Sequence, residues 1–176
     1  MPKLTRLHLT GIGHRDAKFD RLSLRFVDAQ NRPTHTLVWL PNGGGKSLMI
    51  AFKYAALRPH KRDFLGLKTG RGADLEDFVA MGKLAVVLIE FDFSEVGGER
   101  LVVGYAALRK ESSLERTYFS FRAHPTLAWE TLPVAGLGPE APNLGKLLSH
   151  FRAAAEKDKA RIAYFETIRQ TDWEPH

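Results

Sequence analysis

The chain has 176 residues, of which 44% are hydrophobic, and carries a formal net charge of +6. Such a chain can bury a real core and is most simply one domain, and its positive charge favours a polyanionic partner. With no cysteine it forms neither disulfides nor thiolate metal sites, which suits a reducing cytoplasm. Because no run approaches the roughly 18 apolar residues of a membrane span, and the first residues resemble neither a signal nor a transit peptide, we expect a cytoplasmic protein with no membrane partner.

Strands are predicted at the start of the chain. Residues 4–9 and 22–26 alternate between apolar and polar side chains, which predicts two strands that each have one wet face. Turns are expected at residues 11–14 and 28–33. The apolar run at residues 36–40 predicts a third, buried strand.

A glycine-rich loop follows this run, with the sequence Pro-Asn-Gly-Gly-Gly-Lys-Ser at residues 41–47. A turn that leaves a buried strand and opens a helix can point several backbone N–H groups at a polyphosphate. Lys46 would reach the β- and γ-phosphates, and the Ser47 hydroxyl would bind Mg²⁺. The residues predicted to bind the nucleotide here are Asn42, Gly43, Gly44, Gly45, Lys46, Ser47 and Leu48.

The loop departs from the full P-loop pattern at one position, because Leu40 stands where that pattern has a glycine. The turn must therefore start with Pro41, which stiffens it, and rely on the three consecutive glycines for positive φ. The alternative interpretation is a glycine-rich turn between a strand and a helix that binds no phosphate.

A helix is predicted over residues 47–57, where Lys53 is the single charge. Because this helix is apolar nearly all round, we expect most of its surface to be buried beneath a sheet. The basic segment that follows, residues 58–71, either contacts phosphates or is a solvated loop. A short helix is expected from Asp74 to Val79, with Gly82 past its end.

From residue 84 onward the pattern changes to strands, at residues 84–93, 101–108, 117–122 and 126–132. Strands joined by short turns predict an antiparallel meander. After a loop at residues 137–142, Asn143 is predicted to cap an amphipathic helix. The apolar stripe of this helix consists of Leu144, Leu147, Leu148, Phe151 and Ala155.

Two carboxylates on the strand at residues 84–93 invite a metal role, since phosphoryl transfer needs an acidic residue to hold Mg²⁺. Glu90 and Asp92 lie on one face of that strand, and the strand continues past them. This pattern favours a half-exposed strand with a solvated face. The seven histidines show no metal-ligand spacing, and no catalytic residue is assigned.

The order of these elements resembles the N-terminal half of an ATPase head of the SMC type. This ABC-like class includes condensin, MukB-like ATPases and relatives in DNA repair and in anti-plasmid or anti-phage defence. Its members resemble the chain in opening with two strands and a loop of the form Pro-Asn-Gly-x-Gly-Lys-Ser, followed by a basic loop, a short helix, a glycine and a strand. The similarity covers residues 1–95, and the remainder only by the order of elements.

The resemblance implies an α/β P-loop NTPase of the ABC/SMC head type, with a mixed core sheet, an antiparallel meander and flanking helices. Residues 1–95 would form the nucleotide-binding core of a single N-terminal lobe over residues 1–176, residues 96–135 the meander, and residues 143–176 a helix and a segment leading toward a coiled coil. It also implies ATP and Mg²⁺ as cofactors, Arg71 of the basic loop at the nucleotide or DNA, and Gln170 at the Mg²⁺ ion.

The signature motif, the acidic strand and the long coiled coil of this class are not recognisable in these residues. We therefore expect these residues to be the N-terminal half of a longer chain. The C-terminal half of that longer chain would supply the three features, and the N-terminal half alone would be inactive. The implied partners are DNA, that C-terminal half, a second copy of the head, and kleisin-like and accessory subunits.

Two other functions fit the residues. One is a self-contained P-loop kinase or GTPase that uses Glu90 or Asp92 for its metal. The other is a non-catalytic nucleic-acid-binding module whose glycine loop grips a backbone phosphate.

Overall fold

The computed structural model describes residues 1–14, 17–57, 78–111, 113–128, 132, 144–169 and 173 of the chain. The strands in these ranges are β1 (Lys3–Thr10), β2 (Ile12–His14), β3 (Ala17–Phe19), β4 (Leu22–Arg25), β5 (Leu84–Asp92), β6 (Arg100–Arg109), β7 (Leu114–Arg122) and β8 (Phe165–Thr167). The α-helices are α1 (Lys46–Leu57), α2 (Leu144–Lys157) and α3 (Lys159–Ile162). None of these helices is long and apolar enough to cross a bilayer.

The main sheet has six strands in the order β4-β1-β5-β6-β7-β8, and β2 and β3 form a separate ribbon. Every strand pair is antiparallel. The predicted α/β class, with helices flanking a meander, is confirmed in this coarse form. The parallel pairing that would make the core sheet mixed is not seen among the strands that the structure describes.

A helix covers each face of the sheet, and β5 shows why its sequence is a nearly continuous apolar run. Val87 and Ile89 face the cluster that contains α1, whereas Val86 and Leu88 face the cluster that contains α2. A central strand with both faces covered needs apolar side chains at successive positions rather than at alternate ones.

Helix α2 confirms its predicted apolar stripe. Leu144, Leu147, Leu148 and Phe151 are buried, and Ala155 packs against the same cluster. The ring centroid of Phe151 lies 4.8 Å from that of Phe119 on β7. The proposed cap, Asn143, lies outside the described residues.

The fourth predicted strand of the meander, at residues 126–132, is wrong where the structure describes it. A 3-10 turn, Pro125–Leu127, stands there, and the backbone N–H of Thr126 donates to Nδ1 of His124 at 3.3 Å. Proline suits this position because its fixed φ starts a helical turn and its missing N–H would have no partner there.

Helix α1 is buried on one face only, so the expected burial of most of its surface is wrong. Ala51, Phe52 and Ala56 are buried against the sheet, but Ile50 is 50% exposed and Tyr54 is 52% exposed. The sheet covers a single side of the helix, and the other described elements leave the opposite side in solvent. Most of the short helix expected from Asp74, and all of the basic segment at residues 58–71, lie outside the described residues.

Candidate phosphate-binding loop

The segment before the glycine-rich loop does not form the predicted buried strand. Residues 35–40 have no strand assignment, and Leu37 is 92% exposed and Trp39 is 79% exposed. An apolar run becomes a strand only where a neighbouring strand supplies hydrogen-bond partners, and no described strand pairs with this segment. Two large apolar side chains therefore face solvent just before the loop.

The loop itself is tightly curled. Gly43 has a φ of 81° and Gly45 a φ of 82°, whereas Gly44 between them is not in the positive region. The N–H of Gly44 donates to the carbonyl of Pro41 at 3.0 Å, which closes the turn without a glycine at position 40. Successive residues whose φ alternates in sign turn their N–H groups toward one concavity, which is the geometry of an anion-binding nest.

The side chain of Lys46 folds back over this curl. Its Nζ atom donates to the carbonyl oxygen of Leu40 at 2.7 Å and to that of Pro41 at 3.0 Å. An ammonium group has three donors, so a third remains that has no partner among the described residues. The positive charge therefore lies at the loop, where an anion held by the nest would meet it.

Helix α1 begins directly behind the loop, and its first 13-atom ring is closed by the N–H of Met49 donating to the carbonyl of Gly45 at 2.9 Å. Its first turn carries no acidic side chain. The unsatisfied N–H groups of this turn and the helix dipole favour an anion here. Ser47, in the same turn, is exposed and its hydroxyl is accessible to a metal-bound phosphate. Leu48 is half-buried behind it.

Glu90 and Asp92 do not lie on a solvated face, so that prediction is wrong. Glu90 is 3% exposed and Asp92 is 8% exposed. Thr5 donates its hydroxyl to Oε1 of Glu90 at 2.7 Å. Arg100 donates from Nε to Oδ2 of Asp92 at 3.0 Å and places Nη1 3.6 Å from Oε1 of Glu90. Arginines on the strands flanking β5, Arg6 and Arg100, are what allow the carboxylates to be buried as ions.

Two buried groups on this sheet have shifted pKa values, Asp92 in the ion cluster and His8 on β1. A hydrogen bond from the Ser94 hydroxyl, followed by bonds from the Ser94 backbone and from Arg100, holds the pKa of Asp92 below its usual range. Burial, reinforced by the charge of Arg21, lowers the pKa of His8 to about 4, so this imidazole is neutral at pH 7.

Glu90 and Asp92 also lie on the face of the sheet opposite to the one that carries α1 and the glycine-rich loop. By strand alternation, Glu90 shares its face with Val86 and Leu88, which pack in the cluster of α2. The loop leads into α1, which covers the other face. In the described residues no group of three or more histidine, aspartate or glutamate side chains could hold a metal ion.

The structure brings together six of the predicted nucleotide ligands, Asn42 to Ser47, and places Leu48 one residue into the helix behind them. It does not describe Arg71 or Gln170, so their roles at the nucleotide and at Mg²⁺ stay predictions. No sequence pattern pointed to two residues that matter here, Arg100 in the buried ion cluster and Phe19 against the loop. Arg100 contacts its partners across the β5–β6 hairpin and Phe19 contacts Gly45 from another segment, and periodicity reports neither contact.

At the opposite end of α1, Trp173 donates its indole N–H to the carbonyl of Ala56 at 2.9 Å. Its ring stacks on Tyr118 at 5.7 Å between centroids and on Phe165 at 6.2 Å. The helix behind the loop is thus fastened to the edge of the sheet, which makes it a rigid support.

Models of known protein families do not match this chain, and no curated protein matches its sequence.

Proposed function

We propose that the chain binds ATP and Mg²⁺ at residues 42–48 and is the N-terminal half of an SMC-type ATPase head that works on DNA in the cytoplasm. One observation carries this proposal: the glycine curl opens α1 and Lys46 lies folded over it. Backbone N–H groups, an ammonium and a hydroxyl are the set of donors that a triphosphate and its magnesium ion require.

The order of the elements supports the SMC-type class within P-loop proteins. Antiparallel strands precede the loop, and β5, β6 and β7 follow α1 as an antiparallel meander before α2. This is the order of elements in which the chain resembles an SMC-type head, and β5 to β7 extend that order beyond residue 95.

The apolar surface around the loop supports a further half of the head. Leu37 and Trp39 lie exposed before the loop, and Ile50 and Tyr54 lie exposed on the helix after it. Large apolar side chains gathered at an exposed surface mark protein interaction sites, and these four flank the loop in the sequence. We propose that the C-terminal half of the same chain packs here and supplies the signature motif and the acidic strand.

In this scheme two heads sandwich two ATP molecules, each Lys46 loop facing the signature motif of the other head. Hydrolysis reopens the pair and moves DNA that is held by the coiled coils. Kleisin-like and accessory subunits would bind the assembled heads, in chromosome organisation, DNA repair or defence against foreign DNA.

The self-contained kinase or GTPase is the weaker alternative, because Glu90 and Asp92, which would have to bind its metal ion, lie on the other face of the sheet from α1. Glu90 and Asp92 are already paired with Arg6 and Arg100, and they face away from α1. If the chain nevertheless turned over nucleoside triphosphate rapidly without additional sequence, this alternative would replace the half-head. The affinity of the Lys46→Ala variant for ATP distinguishes the nucleic-acid-binding module from the half-head.

Replacing Lys46 with alanine tests the proposal. A hydrogen bond to a charged group contributes about 1.5–3 kcal/mol, so we expect Lys46→Ala to weaken binding of Mg²⁺-ATP by roughly 10- to 100-fold. Isothermal titration calorimetry measures this directly.

Lys53→Ala is the matched control for this experiment. Lys53 belongs to the same helix and its Nζ lies 5.1 Å from the ring centroid of Tyr54, away from the loop. Removing it changes the net charge equally but leaves the loop intact, so ATP affinity should change less than about twofold. Equal ATP affinity in the wild type and Lys46→Ala would instead favour the nucleic-acid-binding module.

A further inference from the structure

The ring of Phe19 on β3 packs against the glycine curl at Gly45. A Cβ atom built on Gly45 would lie 2.8 Å from Cζ of Phe19, and the three atoms nearest to it all belong to this ring. Real Cβ atoms essentially never approach another heavy atom so closely. The tip of the ring therefore touches the backbone of Gly45, next to the residue that opens α1.

Phe19 is held in this place from two directions. It is 8% exposed and pairs with Ile12 across the β2–β3 ribbon. Its ring meets that of Phe52 on α1 edge to face, with 6.4 Å between centroids and 88° between planes. Because Phe52 is itself completely buried, the ring of Phe19 cannot withdraw from the loop without disturbing the core.

We propose that Phe19 is a positioning residue, which holds the Gly43–Gly45 curl in the shape that receives a triphosphate without touching the nucleotide. Three consecutive glycines have more accessible conformations than any other tripeptide, so an unsupported loop would lose affinity by having to become ordered on binding. A rigid ring against Gly45 excludes part of those conformations beforehand, which is preorganisation. This inference rests on the proposed nucleotide binding at the loop.

The contact between Phe19 and Gly45 gives the β2–β3 ribbon a role in supporting the glycine loop, and the sequence of the ribbon does not indicate that role. Ile12 also forms a bridge with Val79, so the ribbon is tied to the chain ahead of β5 as well as to β1. Its Phe19 side chain reaches Gly45 of the loop.

Phe19→Leu tests the proposal, with Phe78→Leu as its matched control. Phe78 is 7% exposed and its ring centroid lies 5.8 Å from that of Phe52, so both variants remove a ring that packs on Phe52. The ring atoms closest to the Gly45 position are those of Phe19 alone. The two variants should lose similar stability in urea, whereas ATP affinity should fall about fivefold or more in Phe19→Leu and less than about twofold in Phe78→Leu.

A second readout separates this inference from the proposed function. The heteronuclear {1H}–15N NOE values of the Gly43 and Gly45 amides, recorded without nucleotide, should fall in Phe19→Leu and stay unchanged in Phe78→Leu, because they report the order of the loop and not the ring current of Phe19. If the wild type bound no ATP while these values fell, the nucleotide proposal would fall and the support of the loop by Phe19 would stand. Unchanged NOE values in Phe19→Leu, or equal ATP affinities in the two variants, would overturn the positioning role.

Discussion

Arg100→Met is expected to lower the free energy of unfolding by about 3–5 kcal/mol at pH 7, because it removes the cation paired with the buried Asp92 and one of the two arginines beside the buried Glu90. The Arg100 guanidinium donates to Asp92 at 3.0 Å and lies 3.6 Å from Glu90, and both acids are more than nine-tenths buried. It also donates from Nη2 to the carbonyl of Asn31, so the turn at residues 27–33 should loosen as well. Urea denaturation monitored by circular dichroism measures the loss.

Arg122→Met is the control for this change. Arg122 lies opposite Leu101 on the neighbouring strand, and its ion pair with Glu99 is exposed, with 47% of the arginine side chain accessible. An exposed pair of this kind contributes about 0–1 kcal/mol, so this variant should remain close to the wild type. Equal losses in the two variants would show that Arg100 is not the cation that balances Glu90 and Asp92.

The pH dependence of the Arg100 effect has a definite sign. The pKa of Asp92 is lowered in the folded protein, by the Ser94 hydroxyl first and also by Arg100. The ionised Asp92 therefore contributes its full stability above the ordinary carboxyl pKa of 3.8. This contribution is lost as the pH falls through the lowered pKa of the folded protein. A protonated carboxyl needs no cation. The difference in stability between the wild type and Arg100→Met should therefore narrow as the pH falls from 7 toward 3, and a difference independent of pH would contradict the ionic account.

Gly11→Ala is expected to cost about 3 kcal/mol or more, because the backbone of another strand lies where its side chain would go. Gly11 has a φ of 64°, and a Cβ atom there would lie 2.1 Å from the carbonyl oxygen of Leu84 at the start of β5. A positive φ costs alanine about 1–2 kcal/mol, and forcing atoms into a packed site adds about 1–3 kcal/mol.

Gly82→Ala separates these two contributions. Gly82 has nearly the same φ, 66°, but nothing lies within 4 Å of its Cβ position. This variant should lose only about 1–2 kcal/mol in the same urea denaturation, which is the conformational cost by itself. Similar losses at Gly11 and Gly82 would mean that β1 and β5 do not approach each other as closely as the structure has them.

The elements that could be predicted from sequence are those whose pattern depends on local burial. Three of the four predicted strands of the meander, β5 to β7, were recovered from their apolar runs, and the stripe of α2 was recovered because one apolar face repeats with a fixed period. The strand expected at residues 36–40 was not found, since an apolar run reports that side chains avoid water but not whether a partner strand is present. The fold class was therefore predictable, whereas the pairing of this particular segment was not.

In the candidate site, too, the features with a local sequence pattern could be predicted, whereas those that depend on contacts in the folded structure could not. The loop at residues 41–47 could be located because glycine, lysine and serine have distinct local roles there. The burial of Glu90 and Asp92 was predicted wrongly, because an alternating strand with carboxylates reads as half-exposed unless the arginines opposite are known. Phe19 contacts the loop from another segment and Arg100 contacts two carboxylates on the neighbouring strand. These contacts follow only from the folded structure.

An NMR titration tests most directly whether the backbone around the three glycines binds a triphosphate. On addition of Mg²⁺-ATP, the amide resonances of Gly43, Gly44, Gly45, Lys46 and Ser47 should shift more than any others in the described ranges, and AMP at the same concentration should leave them nearly unchanged. Shifts that AMP reproduces, or shifts that avoid the loop and gather elsewhere on the protein, would contradict the claim.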